Sequence, residues 1–405
     1  MRDKLKKNKL LRIIVHDVRK IIRFFRILLF KKTYIIIKQP SSIFEIVAHI
    51  QDETWNTMYT PEIFEISKER ILIAKYPEIV FYNIERGVIN VGSDIVLTDK
   101  GAWWEKYNEE DFTTLALPAD ANLVSFDADN VTILPAVRKE YIRGRVLPIT
   151  GVYSYAWSHF LFQFLCKLIC AGEAGLLQDK ITLLTNEYND ENIEYILSNF
   201  LSNFPKVERR VAERGVDYIC EHLICTRSMS TSYNEAKVFW DYRLVVPNLV
   251  VNKLHEYVSF PIIDKIKNNP QRHKKIFLSR HTNRKLTNTQ EVESYFKELG
   301  FYFVEGFELT LEEKVDLFYH AEIIVGLHSS AWQNIIFCNK AKCLMLVNNR
   351  FAPEMLFYTM AKDNVSRWIN VCGLDVNDNR RSDFYIPLEK IKRAYEQLIN
   401  GQKES

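Results

Sequence analysis

The first hydrophobic pattern along the chain has a helical period and lies within residues 10–30. Because the longest apolar run covers only residues 27–30, the segment falls far short of the roughly 20 residues of a membrane span. The pattern predicts a basic amphipathic helix that binds an anionic membrane surface through residues 1–32. A helix that packs on its own domain or on a partner is the alternative. The apolar face carries Leu11, Ile14, Val18, Ile21, Phe25 and Leu28, and the arginines lying mostly off it are Arg12, Arg19, Arg23 and Arg26.

Short strand-like runs come first, at residues 70–74, 88–91, 94–97, 123–126 and 131–134. Strand and helix patterns then alternate from residue 143 onward, and the helices predicted by apolar periodicity include residues 191–201, 311–320, 329–337 and 388–400. A second alternating series begins near residue 250, where we place a boundary. Its five short apolar strands, separated by helices, predict a parallel, doubly wound sheet. Ligands of such sheets bind beyond the carboxyl ends of the strands. The sequence therefore predicts an α/β fold whose site lies in the loops after residues 279, 304, 326 and 347.

The charge distribution limits the possible partners. Thirteen Lys and Arg face two acids within residues 1–38, whereas the whole chain of 405 residues has a net charge of only +3. The remainder is thus mildly acidic, which argues against nucleic-acid binding by the main body. The seven cysteines lack CxxC pairs and metal-ligand spacing, which predicts reduced thiols in a cytosolic compartment.

A polar cluster follows the first strand of the second series. Ser279 ends the strand-like run KIFLS, Arg280 follows it directly, and Arg284 and Asn288 come within the next nine residues. Guanidinium groups pair with phosphate in bidentate fashion and stay charged, so this position suits an anionic ligand. An exposed basic loop is the alternative.

A second polar cluster joins a strand to a helix. His328, Ser329 and Ser330 follow Gly326, and Asn334 lies about one turn further. Free N–H groups at a helix start and two hydroxyls favour an anion, and His328 could donate to a phosphate. Ser is also an ordinary helix cap, and Asn334 could be a solvated helix residue.

Two acidic features have competing interpretations. Glu308, near Glu305, could bind ribose hydroxyls, or it could be an acid that precedes the helix capped by Thr310. Asp127 and Asp129 form a DxD pattern that holds a metal in some glycosyltransferases. They also read as an ordinary turn, and we expect no metal there.

The segment around residue 159 offers a candidate base. His159 and Gln163 are four residues apart, so they share a helix face behind Tyr155 and Trp157. A histidine at the start of a helix facing a cleft could take a proton from a sugar hydroxyl. A hydrogen-bonded core histidine is the alternative.

Residues 140–375 resemble the family 61 glycosyltransferases. The resemblance rests on three motifs in order: Ser279-Arg280 with Arg284 and Asn288; Glu308 to Lys314; and Gly326 to Ser330 with Asn334. A weaker likeness covers Tyr155, His159, Gln163 and Lys167-Leu168.

This resemblance implies a GT-B architecture, in which two Rossmann-like domains face a cleft. Residues 45–250 would form the acceptor-side domain and residues 251–405 the nucleotide-sugar domain, after the basic segment 1–38. The resemblance also implies a UDP-sugar donor, inversion at the anomeric carbon and no metal or other cofactor. Many members have Asp at the position of Gln163, and an amide cannot take a proton, so His159 becomes the candidate base.

The sequence therefore predicts a glycosyltransferase of surface polysaccharide synthesis at the cytoplasmic face of a membrane. Donor binding falls to the two polar clusters and Glu308, catalysis to His159 and Gln163, and acceptor binding to Tyr155 and Trp157. The acceptor is a glycan, possibly lipid-linked. Two alternatives are a transferase with a non-sugar donor and a non-enzymatic membrane-surface module on a degenerate transferase fold.

Deletion of residues 1–32 tests the membrane interpretation of the N-terminal segment. We expect the truncated protein to lose sedimentation with anionic liposomes, because the basic face and the apolar face are removed together. Neutral liposomes serve as the control. Unchanged sedimentation of the truncated protein would refute the interpretation.

Overall fold

The computed structural model describes residues 9–76, 78–104, 122–127, 129–227, 229, 248–269, 273–280, 282, 284–305, 309–349, 356–377 and 382–401. Within these residues the protein is mixed α/β, with strands gathered into two large sheets and two small ones. Glu308 lies outside the described residues.

The first half of the chain is rich in strands. In chain order these are β1 (Lys32–Ile35), β2 (Glu45–Gln51), β3 (Thr54–Thr60), β4 (Glu62–Ile63), β5 (Arg70–Tyr76), β6 (Ile79–Glu85), β7 (Val88–Asn90), β8 (Ile95–Thr98), β9 (Gly101–Trp104), β10 (Leu123–Phe126), β11 (Asn130–Ile133), β12 (Arg138–Pro148), β13 (Ile181–Thr185), β14 (Val207–Val211) and β15 (Val216–Thr226). The helices are α1 (Lys9–Phe30), α2 (Trp157–His159, continuing as the π-helical Phe160–Leu165 and as Cys166–Glu173), α3 (Glu191–Leu201) and α4 (Asn248–Leu254, the π-helical His255–Ser259 and Phe260–Ile266), with a short 3-10 turn at Pro40–Ser42.

The first large sheet contains a parallel core. Its order is β14-β13-β12-β15, and these four strands run parallel to one another. This is the 3-2-1-4 order of a Rossmann half, with the order reversing between β12 and β15. The strands β6 and β7 then add to β15 in the antiparallel direction. The loop after β12 therefore opens at a switch point of this sheet.

The second half of the chain builds the second large sheet. Its elements are β16 (Lys275–Leu278), α5 (Thr289–Glu298), β17 (Tyr302–Val304), α6 (Leu311–His320), β18 (Ile323–Leu327), the 3-10 helix Ser330–Phe337, β19 (Ala341–Asn348), α7 (Leu356–Ala361), β20 (Val365–Asp375), β21 (Phe384–Tyr385) and α8 (Leu388–Asn400). The order β17-β16-β18-β19-β20 is parallel throughout. That is a doubly wound 2-1-3-4-5 sheet, as the alternating pattern predicts.

Burial on both faces explains why the central strands of this sheet form. Six consecutive residues of β19, Cys343 to Asn348, are buried. Such near-continuous apolar runs are typical of parallel strands covered by helices on both sides. The preceding helix α6 begins at a capping box in which Thr310 and Glu313 bond each other's backbone N–H groups.

A segment of the first half packs on the second sheet. The short strand β4 pairs in parallel with β20, and the hairpin β3–β5 lies against α7. Tyr59 and Thr359 bond each other there through backbone and hydroxyl groups, at 3.3 and 3.4 Å. Residues 54–76 thus contact the second sheet although they precede residue 251, and the domain boundaries stay a prediction.

The N-terminal helix α1 leaves apolar side chains in solvent. Two of its arginines bond the rest of the protein. Arg23 donates to the carbonyl of Leu123 at 3.1 Å, and Arg26 donates to the carbonyl of Pro135 at 2.9 Å. Among the described helices, none combines the length and apolar character needed to cross a membrane. The exposed large side chains of α1 are Val18, Ile21, Ile22, Phe24, Phe25, Leu28, Leu29 and Phe30.

The helix at Ser330–Phe337 and the strand β6 are among the elements that differ from the predicted pattern. The helix expected over residues 329–337 is a 3-10 helix, which a buried Trp332 ties down by donating from its indole to the carbonyl of Leu327. The strand β6 is not among the predicted strands. It is almost wholly buried and lacks the alternation that identifies a strand in a sequence.

Replacing Gly326 by Ala tests how tightly the second sheet is packed. A Cβ at this position would lie 2.5–2.9 Å from the backbone N, O and Cβ of Leu278 on the neighbouring strand. Because backbone atoms cannot swing aside, we expect the free energy of unfolding to fall by about 1–3 kcal/mol. Urea denaturation measures it, and Ser198→Ala on an exposed helix face should change it by less than about 0.5 kcal/mol. Equal stability of the two variants would contradict this packing.

Candidate functional site

The loops after β16 and β18 meet at the point where the order of the second sheet reverses. These strands are neighbours, while their chain continuations β17 and β19 lie on opposite sides. Such a switch point leaves a crevice at the carboxyl ends of the strands. Arg280 follows β16 and His328 follows β18, so the two predicted polar clusters face each other there.

Arg280 bridges the two loops. Its Nη1 donates to the carbonyl oxygen of His328 at 3.2 Å. Burial, and to a lesser extent the like charge of Arg284, lower the pKa of the Arg280 guanidinium to about 10. The group still carries its proton at neutral pH, so the folded protein keeps a charged guanidinium in a partly buried place, which is unfavourable in free energy. An anion beside the pair would offset both causes of the shift.

Arg284 contacts the imidazole of His328. Its backbone has a φ of 61°, in the left-handed region that side chains other than Gly seldom adopt. In this conformation Nη1 lies 3.2 Å from Nδ1 of His328. A guanidinium can only donate, so Nδ1 accepts and the proton of the neutral ring sits on Nε2. In this tautomer Nε2 of His328 is an N–H donor.

Ser329 contributes a buried hydroxyl at the start of the 3-10 helix. The residue is 8% exposed, and its Oγ has no hydrogen-bond partner among the described residues. It does not cap the helix, so the ordinary N-cap interpretation of the sequence does not hold at this position. A buried hydroxyl without a partner is costly, and a ligand that bonded it would recover that cost. Its neighbour Ser330 is exposed.

Two other residues of the first cluster have structural contacts. Asn288 donates to the carbonyl of Ile386 at 3.0 Å and to Glu291 at 2.9 Å, which ties the start of α5 to the chain before α8. Ser279 is half-buried, with Oγ 3.5 Å from a carboxylate oxygen of Glu293. Their donor-binding roles stay predictions.

His159 and Gln163 lie on the same face of α2, as their spacing predicts. Nδ1 of His159 is 3.3 Å from Oε1 of the buried Gln163. With the amide oxygen as acceptor, Nδ1 carries the proton and Nε2 presents the lone pair. Gln163 belongs to the π-helical part of α2, a distortion frequent at functional sites.

Tyr153 packs on the other side of the imidazole. Its ring stacks on His159 with centroids 5.0 Å apart. Tyr153 is also left-handed, with a φ of 64°, so a strained backbone holds this ring in place. Tyr155 lies edge-on to Tyr153 at 6.4 Å and is 53% exposed.

One contact joins the two halves of the site. The indole of Trp157 donates to Oδ1 of the buried Asn334 at 3.3 Å. The ammonium of Lys314, which is 4% exposed, lies 4.8 Å from the centroid of the same indole. Burial lowers the pKa of Lys314, and the charge of Asp190 partly offsets this. The helix that carries His159 thus contacts the helix after β18 at a seam, which is formed by Trp157, Asn334 and Lys314.

The DxD pattern forms a turn. Oδ1 of Asp127 accepts from the backbone N–H groups of Asp129 and Asn130 at 2.9 and 2.8 Å, while Asp129 pairs with Lys38 at 2.8 Å. The backbone bonds lower the pKa of Asp127. Within the part of the chain that the structure describes, no three His, Cys, Asp or Glu side chains are placed to hold a metal ion.

Sequence reasoning assigned no role to Lys314 or Tyr153. Lys314 lies in the middle of a charged helix and reads as a solvated cation, and Tyr153 reads as one aromatic among several. The positive φ of Tyr153 and the burial of Lys314 are properties of the folded chain, so the sequence carried no signal for either.

Comparison with known proteins gives one positive result. Residues 157–345 match the family described as Glycosyltransferase 61, which confirms the resemblance predicted from the sequence. The matched segment begins at Trp157 and includes His159, the Arg280 and Arg284 pair and His328. No curated protein matches the chain.

Proposed function

We propose that the protein uses a nucleotide-sugar donor. The premise is that residues 157–345 form a glycosyltransferase family 61 domain, which makes the protein a glycosyltransferase. The donor would be a UDP-sugar, and the acceptor a hydroxyl of a surface glycan. One observation carries the proposal: two guanidinium groups, a donating histidine and an unpartnered buried hydroxyl converge at the switch point of the second sheet.

The donor diphosphate would lie between Arg280 and Arg284. Charged N–H donors of this kind bind phosphate oxygens strongly, and burial of Arg280 makes an anionic partner favourable. Nε2 of His328 and Oγ of Ser329 would donate to further oxygens of the same group. The crevice beyond the strand ends is where nucleotides bind in doubly wound sheets.

His159 would act as the base in a single displacement. The acceptor hydroxyl gives its proton to Nε2 while its oxygen forms a bond to the anomeric carbon of the donor. The bond from that carbon to the diphosphate oxygen breaks, and its electron pair leaves with the nucleoside diphosphate. One displacement from the opposite face inverts the anomeric centre. Gln163 would position the imidazole through its bond to Nδ1.

The reaction would need no metal, because fixed cations and N–H donors can stabilise the leaving diphosphate in its place. Arg280, Arg284 and His328 supply these charges and donors at the switch point.

The two sheets would form the facing domains of a GT-B enzyme. The 3-2-1-4 core of the first sheet and the 2-1-3-4-5 order of the second support this, as does the contact between Trp157 and Asn334. The exposed apolar face of α1 supports peripheral binding at a membrane, and the membrane face would be the cytoplasmic one.

Binding of UDP tests the donor site. We expect UDP to raise the melting temperature of the wild type, and Arg280→Ala and Arg284→Ala to weaken UDP binding at least about tenfold, because each variant removes a charged hydrogen bond. Lys285→Ala, an exposed neighbouring cation, is the matched control and should bind UDP normally. An unchanged affinity in both arginine variants, or loss of the UDP shift in EDTA, would contradict the metal-free site.

The role of His159 is tested by separating binding from transfer. We expect His159→Ala to keep the UDP-induced shift and to lose about 10²–10⁴-fold in transfer rate from a UDP-sugar, the usual contribution of a general base. Transfer at the wild-type rate in this variant would exclude His159 as the base.

A further inference from the structure

A cavity of about 520 Å³ lies at the carboxyl ends of the first sheet, under the N-terminal helix. Several loops and the helix α1 form its walls. Tyr153 and Tyr155 come from the loop after β12, Asn186 follows β13 and Arg214 follows β14. The helix α1 closes the remaining side with Ile22, Arg23 and Arg26. The cavity therefore lies between the surface of α1 and the candidate base.

Part of the cavity wall is cationic. Arg23, Arg26 and Arg214 line it, and among the described residues that form its walls none is acidic. Arg26 donates from Nη2 to the carbonyl of Pro135, while its Nε is buried without a hydrogen-bond partner among the described residues. Arg214 is exposed to solvent. Three guanidinium groups around one space favour a phosphate, whose oxygens accept several such bonds.

Another part of the wall suits a sugar. Tyr153 and Tyr155 present aromatic rings, and the apolar faces of such rings pack against the C–H face of a pyranose. Oδ1 of Asn186 is buried and has no partner among the described residues, so it can accept from a sugar hydroxyl. Tyr153 lines the cavity and stacks on His159, so only the ring of Tyr153 lies between this wall and the imidazole.

An apolar surface of α1 borders the cavity. Ile22 lines the cavity and is itself 54% exposed, and Ile21, Phe25 and Leu28 of the same helix are also exposed. An amphipathic helix with this exposure embeds its apolar face at the boundary of headgroups and acyl chains. A ligand with an acyl or prenyl tail could therefore leave its tail in the membrane and place its headgroup beneath α1.

We propose that this cavity binds the acceptor, and that the acceptor is a membrane-anchored lipid phosphate that carries the growing glycan. The phosphate lies among Arg23, Arg26 and Arg214, and the sugar lies against Tyr153 and Tyr155 with its reacting hydroxyl toward His159. The proposal rests on the proposed function, because it names the acceptor of that transferase. It requires the cavity to distinguish a lipid phosphate from an ordinary anionic membrane surface.

Vesicle binding tests this distinction without a donor. Phosphatidylcholine vesicles are doped with farnesyl phosphate, with farnesol, or with phosphatidylglycerol at a surface potential equal to that of the first set. We expect the wild type to bind the farnesyl phosphate vesicles about tenfold more tightly than the phosphatidylglycerol vesicles, since the cavity adds charged hydrogen bonds. Arg214→Gln should remove this preference and keep the binding to phosphatidylglycerol. Arg26→Gln should also remove the preference, but it should weaken binding to both charged vesicles because Arg26 belongs to the basic face of α1.

Arg143→Gln is the matched control, because Arg143 is an exposed arginine of the first sheet that does not line the cavity. A normal UDP-induced thermal shift in each variant verifies its fold, and Arg214→Gln, at an exposed position, keeps the test valid if Arg26→Gln misfolds. Equal binding of the wild type to both charged vesicles, or an unchanged preference in the cavity variants, would overturn the proposal. Displacement from the vesicles by millimolar inorganic phosphate would assign the cavity to a free anion and overturn it as well.

These outcomes are independent of the donor site. A protein that binds UDP but shows no preference for farnesyl phosphate keeps the proposed function and loses this acceptor. A protein that prefers farnesyl phosphate vesicles but shows no UDP shift in any condition loses the nucleotide donor instead.

Discussion

The arrangement of the site depends on two like charges held close together under partial burial. Arg280 and Arg284 reach His328 from the same loop, one at its carbonyl and one at its ring nitrogen. Desolvation and mutual repulsion both oppose this geometry, as the lowered pKa of Arg280 records. The left-handed backbone of Arg284 adds to the cost. The folded protein sustains this cost because the strands on either side are fixed in a packed parallel sheet.

The second constraint is the seam between the two sheets. The indole N–H of Trp157 donates to the amide oxygen of Asn334, and the ring of Trp157 covers the buried ammonium of Lys314. One side chain thus contacts a buried amide and a buried cation. Trp157 begins the helix that carries His159, and Asn334 lies in the helix that follows Ser329. A shift of one sheet relative to the other would separate these pairs. The seam therefore couples the position of the candidate base to that of the donor-binding loop.

Histidine chemistry in the two halves of the site is complementary. His159 has its Nδ1 proton directed to an amide oxygen, whereas His328 has its Nδ1 occupied by a guanidinium donor. The first ring therefore presents a lone pair at Nε2 and the second presents a proton there. Gln163 suffices for the first task, since orienting an imidazole needs an acceptor and not a carboxylate.

The sequence alone determined the α/β class, the family and several elements to the residue. The helices Glu191–Leu201, Leu311–His320 and Leu388–Asn400 lie where the apolar periodicity predicts them. Periodicity and caps are local properties, set by residues within a turn or two of each other, so they can be recognised in one chain. Arg280, Arg284 and His328 were predicted to share a site because strand ends of one parallel sheet meet at one edge.

Tertiary structure decided what local patterns cannot express. The reversal of strand order between β16 and β18, the pairing of β4 with β20 and the tautomers of both histidines depend on residues far apart in the chain. The cavity under α1 joins residues 23 and 214, and Lys314 becomes a buried cation only when Trp157 covers it. These neighbours are selected because the folded chain buries apolar groups and satisfies hydrogen bonds across the whole fold. The information that specifies these contacts is spread over all the contacting segments, so no single segment contains it.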